Sequence, residues 1–137
     1  MSTAWVLDAS ALLCYLQAED GYAEAKAIVV ADRARNRVLL SAVTWSEVMH
    51  RVSQRAHLGG LVAVRHHLDL LHLDVVPLTQ DRAEHLARMR SRSRLALADS
   101  AVAALAEELG GTIVTKDPDF HAVEDRIAVM WLPKARK

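Results

Sequence analysis

Apolar residues recur along this chain in two rhythms, short unbroken runs alternating with longer stretches spaced at three and four. The runs Ala4 to Leu7, Val38 to Leu40, TIVT ending at Thr115 and IAVMWL ending at Leu132 lack polar alternation, as strands covered on both faces do. A further strand is expected over Asp74 to Leu78, where Pro77 marks an edge or a strand end. Between the strands lie helical stretches. ALLCYLQ follows Ser10 as a cap, and YAEAKAIVVADRA follows the break at Gly21. TWSEVMHRVSQRAHL carries Trp45, Val48, Met49 and Val52 at helical spacing, with Ser41 and Thr44 as alternative starts and Gly59–Gly60 as the stop. LVAVRHHLDLL is amphipathic, and QDRAEHLARMR is capped by Thr79, with acids in its first turn and Arg in its last, as the helix dipole favours. An Arg/Ser link, SRSR, leads into LALADSAVAALAEEL, and DPDF opens a short turn after TIVT. Strand–helix alternation throughout predicts an α/β protein, a three-layer α/β/α sandwich with a mostly parallel central sheet. Ligands in such a fold bind beyond the carboxyl ends of the strands.

The stretch Leu95 to Leu109 has Ala at six of its fifteen positions and neither Gly nor Pro, so it should be helical. Its first part is apolar on nearly every side, yet it holds Asp99. A lone buried carboxylate costs several kcal/mol without a compensating partner. Either the helix starts late and Asp99 is its N-cap, or other groups converge on Asp99. A cluster of further acids would repel itself unless a divalent cation held it together.

Length and composition narrow the function. A chain of 137 residues makes one ordinary domain. No apolar run approaches a membrane span, and MSTAWVLDAS has no basic leader character, so a soluble cytoplasmic protein is expected. Cys14 is the only cysteine, which rules out an internal disulfide and a thiolate metal cage. Charge balances at 17 basic against 17 acidic residues, so any phosphate recognition must be local.

Three more acids stand at strand ends or in the first turn after one: Asp8 after the first strand, Glu47 after the second and Asp117 after TIVT. Each has a local reading. Asp8 suits an Asx turn or cap, Thr44 and Glu47 match a capping box, and Asp117–Pro118 fits an N-cap followed by N1. With Asp99 they form four acids that the expected topology can gather at one side of the sheet.

VLDASALLCYL, SAVTWSEV, LALADSAVAALA and TIVTKDPDF, in this order, resemble the motifs of the PIN-domain ribonucleases, in particular the VapC toxins of toxin–antitoxin pairs. The resemblance spans Ala4 to Leu132 and implies a single PIN-like domain over residues 1–132 with a basic tail over 133–137. It implies a metal-dependent endoribonuclease whose acidic positions are matched by Asp8, Glu47, Asp99 and Asp117. Asp8 and Asp99 are the expected direct ligands of Mg²⁺ or Mn²⁺, with Glu47 and Asp117 acting through water. Ser10 and Thr115 match hydroxyl positions flanking such a site, and Asp119 is a more distant support. Hard carboxylate oxygens suit these cations, and the chemistry is in-line hydrolysis of a phosphodiester. A small antitoxin partner and a homodimer are implied as well, with ALLCYLQ and WSEVMHRV as surfaces.

RNA must also be held, and Arg92 and Arg94 are the residues expected to touch phosphate; Arg88 and Arg90 suit a solvated helix end. The seven histidines form no zinc spacing, and Trp5, Trp45 and Trp131 fall in apolar segments as core or interface anchors. A phosphoacceptor receiver-like domain or a D-x-D phosphatase fits poorly, because Leu7–Asp8–Ala9–Ser10 lacks the second acid. Two readings share the expected fold: a non-catalytic binding module and a housekeeping RNA-processing nuclease.

Overall fold

Leu7, Val38, Leu40 and Val114 pack into one apolar cluster and Val6, Leu39 and Ile113 into another, the two-sided burial that unbroken strand runs require. The structure is a computed structural model and describes residues 2–134, apart from the side chain of Ala56; the tail expected at 133–137 lies outside the described residues from Ala135 onward. Five strands, β1 (Thr3–Leu7), β2 (Asn36–Ser41), β3 (Asp74–Val76), β4 (Thr112–Thr115) and β5 (Val129–Trp131), form one parallel sheet in the order β3-β2-β1-β4-β5. One cluster joins the sheet to α1 (Ala9–Leu16), α2 (Tyr22–Val29), α3 (Ala42–Ser53) and α4 (Gly60–Leu70). The other joins it to α5 (Gln80–Ser93) and α6 (Leu97–Leu109). The layers are therefore α/β/α, as the strand–helix alternation predicts.

The register of β1 decides where chemistry can occur. Leu7 pairs with Val114, so the next residues, Asp8 just past β1 and Thr115 at the end of β4, stand side by side at the carboxyl edge of the sheet. Here β1 has β2 on one flank and β4 on the other, and the chain order reverses. This is the crevice where parallel α/β sheets bind ligands. Close approach of β4 to β1 depends on Gly111, where an added Cβ would lie 2.9 Å from the Ala4 carbonyl oxygen. Gly110 ends α6 in the left-handed region at φ 61°, and the Gly111 N–H returns to the Ala106 carbonyl at 2.9 Å.

Several local expectations shift by one element boundary, each for a stated reason. Asp8, not Ser10, caps α1: its side chain accepts from the Ala11 N–H at 2.9 Å. Ser41 rather than Thr44 caps α3, accepting from the Val43 N–H at 3.1 Å, so Glu47 is no part of a capping box at Thr44. α3 ends at Ser53, before a 3₁₀ turn over Ala56–Leu58, and Gly59 opens α4 instead of closing α3. β3 is an edge strand that stops before Pro77. The SRSR segment is not a link: α5 runs through Ser93 and ends on Arg94, held at φ 56°. Nothing in that segment breaks a helix, so the tract propagates until the chain must turn back into α6.

Candidate functional site

Asp8 is buried, 4% exposed, and among the described residues no cation pairs with it. Its partners are neutral donors: the Ser10 hydroxyl at 2.7 Å and the Ala11 N–H at 2.9 Å on Oδ1, and the Thr115 hydroxyl on Oδ2. The two hydroxyls accept in turn. Ser10 Oγ receives the Lys116 N–H and Thr115 Oγ1 receives the Asp117 N–H, each at 2.9 Å. Asp117 Oδ1 then accepts from the Asp119 N–H at 2.9 Å, capping a 3₁₀ turn over Pro118–Ala122. One hydrogen-bonded chain thus ties the start of α1 to the loop after β4, fixing Asp117 and Asp119 relative to Asp8.

Asp99 enters from the opposite side of the sheet as the third residue of α6. Ala96 occupies the N-cap position, and no side chain caps the helix, so Asp99 is not the cap. Its place in the first turn is favourable for an anion through the helix dipole. Carboxyl oxygens of Asp99, Asp117 and Asp119 all lie within 4.8 Å of one another. Among the described residues this is the only cluster of metal-ligating type, and no histidine belongs to it. The tight set differs from the expectation, which makes Asp8 and Asp99 the direct ligands and keeps Asp119 at a distance. The Asp117 cap over the 3₁₀ turn brings Asp119 in.

Asp8, Ser10, Thr44, Glu47, Asp99 and Asp117 all line a cleft of about 110 Å³. The four acids expected to converge do so. Burial pushes the Asp8 carboxyl up to about 6, against the pull of its three donors, and Asp117 adds repulsion. Asp99 is pushed up to about 7, first by burial and then by repulsion from Asp117, Asp8, Asp119 and Glu47. Mutual repulsion of this kind is relieved by a divalent cation, and the donors are the hard oxygens that Mg²⁺ or Mn²⁺ prefers. A second observation points to a ligand. Thr44 is 1% exposed and lines this cleft, and its Oγ1 is the one buried side-chain polar atom without a hydrogen-bond partner among the described residues. The residues present fit a hydrated divalent cation.

Arg92 and Arg94 do not line the cleft. The Arg92 guanidinium engages Glu107 at 3.0 and 3.2 Å, a residue about 12 Å further along α6 than Asp99. Arg94 is exposed at the end of α5. Of the histidines, His67 meets the Tyr15 hydroxyl at 2.7 Å, His85 meets Glu107 and His121 meets Glu124. All three tryptophans are partly buried against the two apolar clusters. Thr44 and Arg51 also line the cleft, and the sequence reading places neither of them there. They lie three residues before and four after Glu47, a helical spacing that places all three on one face.

Fold and cleft together define an open parallel α/β domain with a carboxylate-lined crevice at the point where strand order reverses. The chain belongs to the PIN-domain family, whose model matches residues 5–126. No significant match is found among curated protein sequences. Solved structures with the same architecture include a toxin–antitoxin complex from Klebsiella pneumoniae, 24% identical, with a TM-score of 0.69 over 95% of this chain and 98% of that one. VapBC2 from Rickettsia felis, bound to a DNA fragment from its promoter, is 13% identical with a TM-score of 0.71, covering 96% and 100%. Mycobacterium tuberculosis VapC20, described as a sarcin–ricin loop cleaving toxin, is 18% identical with a TM-score of 0.68, covering 97% and 99%. At these identities the likeness establishes the fold.

Proposed function

We propose that this chain is a divalent-metal-dependent endoribonuclease and the toxin of a type II toxin–antitoxin pair. The observation that carries the reading is the convergence of Asp8, Glu47, Asp99 and Asp117 on one cleft with Asp119 beside them. Asp99, Asp117 and Asp119 would hold the cation directly, with Asp8 and Glu47 on the same cleft adding negative charge to it, Glu47 through water. When bound, Mg²⁺ or Mn²⁺ supplies the positive charge that activates water and stabilises the leaving oxygen in phosphodiester hydrolysis. Ser10 and Thr115 hold Asp8 in one orientation and keep its carboxyl lower than burial alone would leave it.

The toxin reading is supported by the company the fold keeps. Of the three similar structures named above, one is a toxin–antitoxin complex, one is VapBC2 on promoter DNA, and the third is a sarcin–ricin loop cleaving toxin. By this reading the partners are RNA, a cognate antitoxin and a second copy of the chain. By this reading the setting is cytoplasmic; among the described residues no helix is long and apolar enough to cross a membrane. We further propose that Arg94, and Arg92 once it exchanges Glu107 for phosphate, guide RNA along the end of α5. The test is incubation of purified protein with single-stranded and stem–loop RNA in Mn²⁺ and in EDTA, beside Asp99→Asn. Internal cleavage that needs Mn²⁺ and Asp99 is expected. A chain that binds Mn²⁺ but never cuts RNA is a non-catalytic PIN module, and one that cuts RNA without arresting growth on expression is a processing nuclease.

A further inference from the structure

Among the described residues Arg51 is the one cation that lines the acid cleft. Its place follows from helix register: Thr44, Glu47 and Arg51 recur at three and four along α3 and form one wall of the cleft. Glu47 followed four residues later by Arg51 is the charge order that favours an intrahelical pair. No such pair forms. Among the described residues the Arg51 guanidinium takes part in no ion pair, and it is exposed. Other cations near the site are engaged elsewhere: Lys116 Nζ donates to the Asp20 carbonyl at 2.7 Å and lies 3.9 Å from Glu19, and Arg92 holds Glu107.

A cleft walled by acids repels the phosphates of an incoming RNA strand, and the held cation neutralises only the part of that charge closest to it. A guanidinium lining the same cleft as Asp99 offers what the acid walls lack. It carries a permanent charge and a planar fork of donors that matches two phosphate oxygens, on an exposed side chain that no ion pair holds among the described residues.

We propose that Arg51 binds a backbone phosphate of the RNA strand within the acid cleft and so fixes the strand's path across Glu47. The assignment rests on the ribonuclease reading and adds a contact for the substrate. Arg51 is a binding residue. It holds a phosphate in place, and the carboxylates hold the metal.

The experiment compares wild type with Arg51→Ala and Arg51→Lys in three measurements. The first is binding of a fluorescein-labelled single-stranded RNA oligonucleotide in EDTA, read by anisotropy over a KCl series. The second is the kcat and KM of Mn²⁺-dependent cleavage of the same oligonucleotide. The third is Mn²⁺ affinity by calorimetry without RNA. For Arg51→Ala we expect Kd and KM to rise about tenfold, as loss of one charge-assisted phosphate contact does. The slope of log Kd against log[KCl] should shrink by about 0.7, one contact on a single strand. Arg51→Lys should retain the slope and recover part of the affinity, and Mn²⁺ affinity should equal or exceed wild type, since a repelling cation is gone. Unchanged Kd, KM and slope in Arg51→Ala, or a lower KM, overturns the assignment, and so does a loss of Mn²⁺ binding. Wild type without Mn²⁺-dependent cleavage instead sinks the ribonuclease reading, and this proposal with it.

Discussion

Replacing Asp99 by Asn should stabilise the metal-free protein, the reverse of what losing a structural residue does. The folded state holds the Asp99 carboxyl at about 7 against an ordinary 3.8, because burial and four neighbouring acids disfavour its charge. At full burial such a displacement amounts to about 4 kcal/mol. Asp99 is only half-buried, and solvent screening reduces this to about 2 kcal/mol. The sign follows from proton linkage. Between about pH 4 and pH 7 the folded protein keeps a proton that the unfolded chain has released, so wild-type stability falls as pH rises through this window and levels off above it. The neutral amide introduced by Asp99→Asn has no charge to suppress. The advantage of Asp99→Asn should therefore be near zero at pH 4 and reach about 2 kcal/mol by pH 8, a Tm gain of about 6 °C for a chain of this length. Thermal melts in EDTA at a series of pH values measure it. Adding Mn²⁺ at one hundred times its Kd should raise the wild-type stability by about 2.7 kcal/mol and leave Asp99→Asn unmoved. A variant less stable than wild type in EDTA at pH 8, or an advantage independent of pH, would refute the electrostatic account.

Three further outcomes follow from the contacts around the site. Thr115→Val removes the hydroxyl donated to Asp8 and the acceptor of the Asp117 N–H. We expect a loss of about 2 kcal/mol in urea unfolding and an Asp8 carboxyl pushed above its present value of about 6, visible by NMR titration. Gly111→Ala places a methyl 2.9 Å from the Ala4 carbonyl oxygen and should cost about 2 kcal/mol, with weaker Mn²⁺ binding as β4 shifts away from β1. Arg33 donates to the carbonyls of Val29, Ala31, Leu71 and His72, joining the ends of α2 and α4. Arg33→Ala should destabilise by about 2 kcal/mol without changing Mn²⁺ affinity, and an altered affinity would show that this corner of the fold reaches the cleft.

Much of this arrangement is legible in the sequence because it is local. The AWVL and TIVT runs announce strands covered on both faces, and three acids, Asp8, Glu47 and Asp117, at a strand end or in the first turn after one fall where a parallel sheet opens its crevice, with Asp99 marked by its apolar helix. Cap assignments are less legible. Asp8 and Ser10, or Ser41 and Thr44, offer the same chemistry two or three residues apart, and tertiary contacts decide between them. Asp8 caps α1 because Thr115 fixes its other oxygen from across the sheet, a contact spanning more than a hundred residues that no local pattern contains. Ser41 caps α3, and Thr44 is thereby left with an unpartnered hydroxyl in the cleft. Sequence reading underrates Asp119, because its nearness to Asp99 depends on how the Asp117 cap turns the chain. Arg51 is within reach of sequence reasoning, since it stands one helical turn beyond Glu47. The pairing of Arg92 with Glu107 is out of reach of sequence reasoning, because proximity in sequence to Asp99 says nothing of a partner on a later turn of α6.

The central claim is that these carboxylates bind a divalent cation, and calorimetric titration of Mn²⁺ at pH 6.5 in two buffers of different ionisation enthalpy tests it most directly. With Asp8 at about 6 and Asp99 at about 7, saturable binding should release protons at this pH, release almost none at pH 8.5, and disappear in Asp99→Asn. Binding without proton release at pH 6.5, or no saturable binding by the wild type, would contradict it.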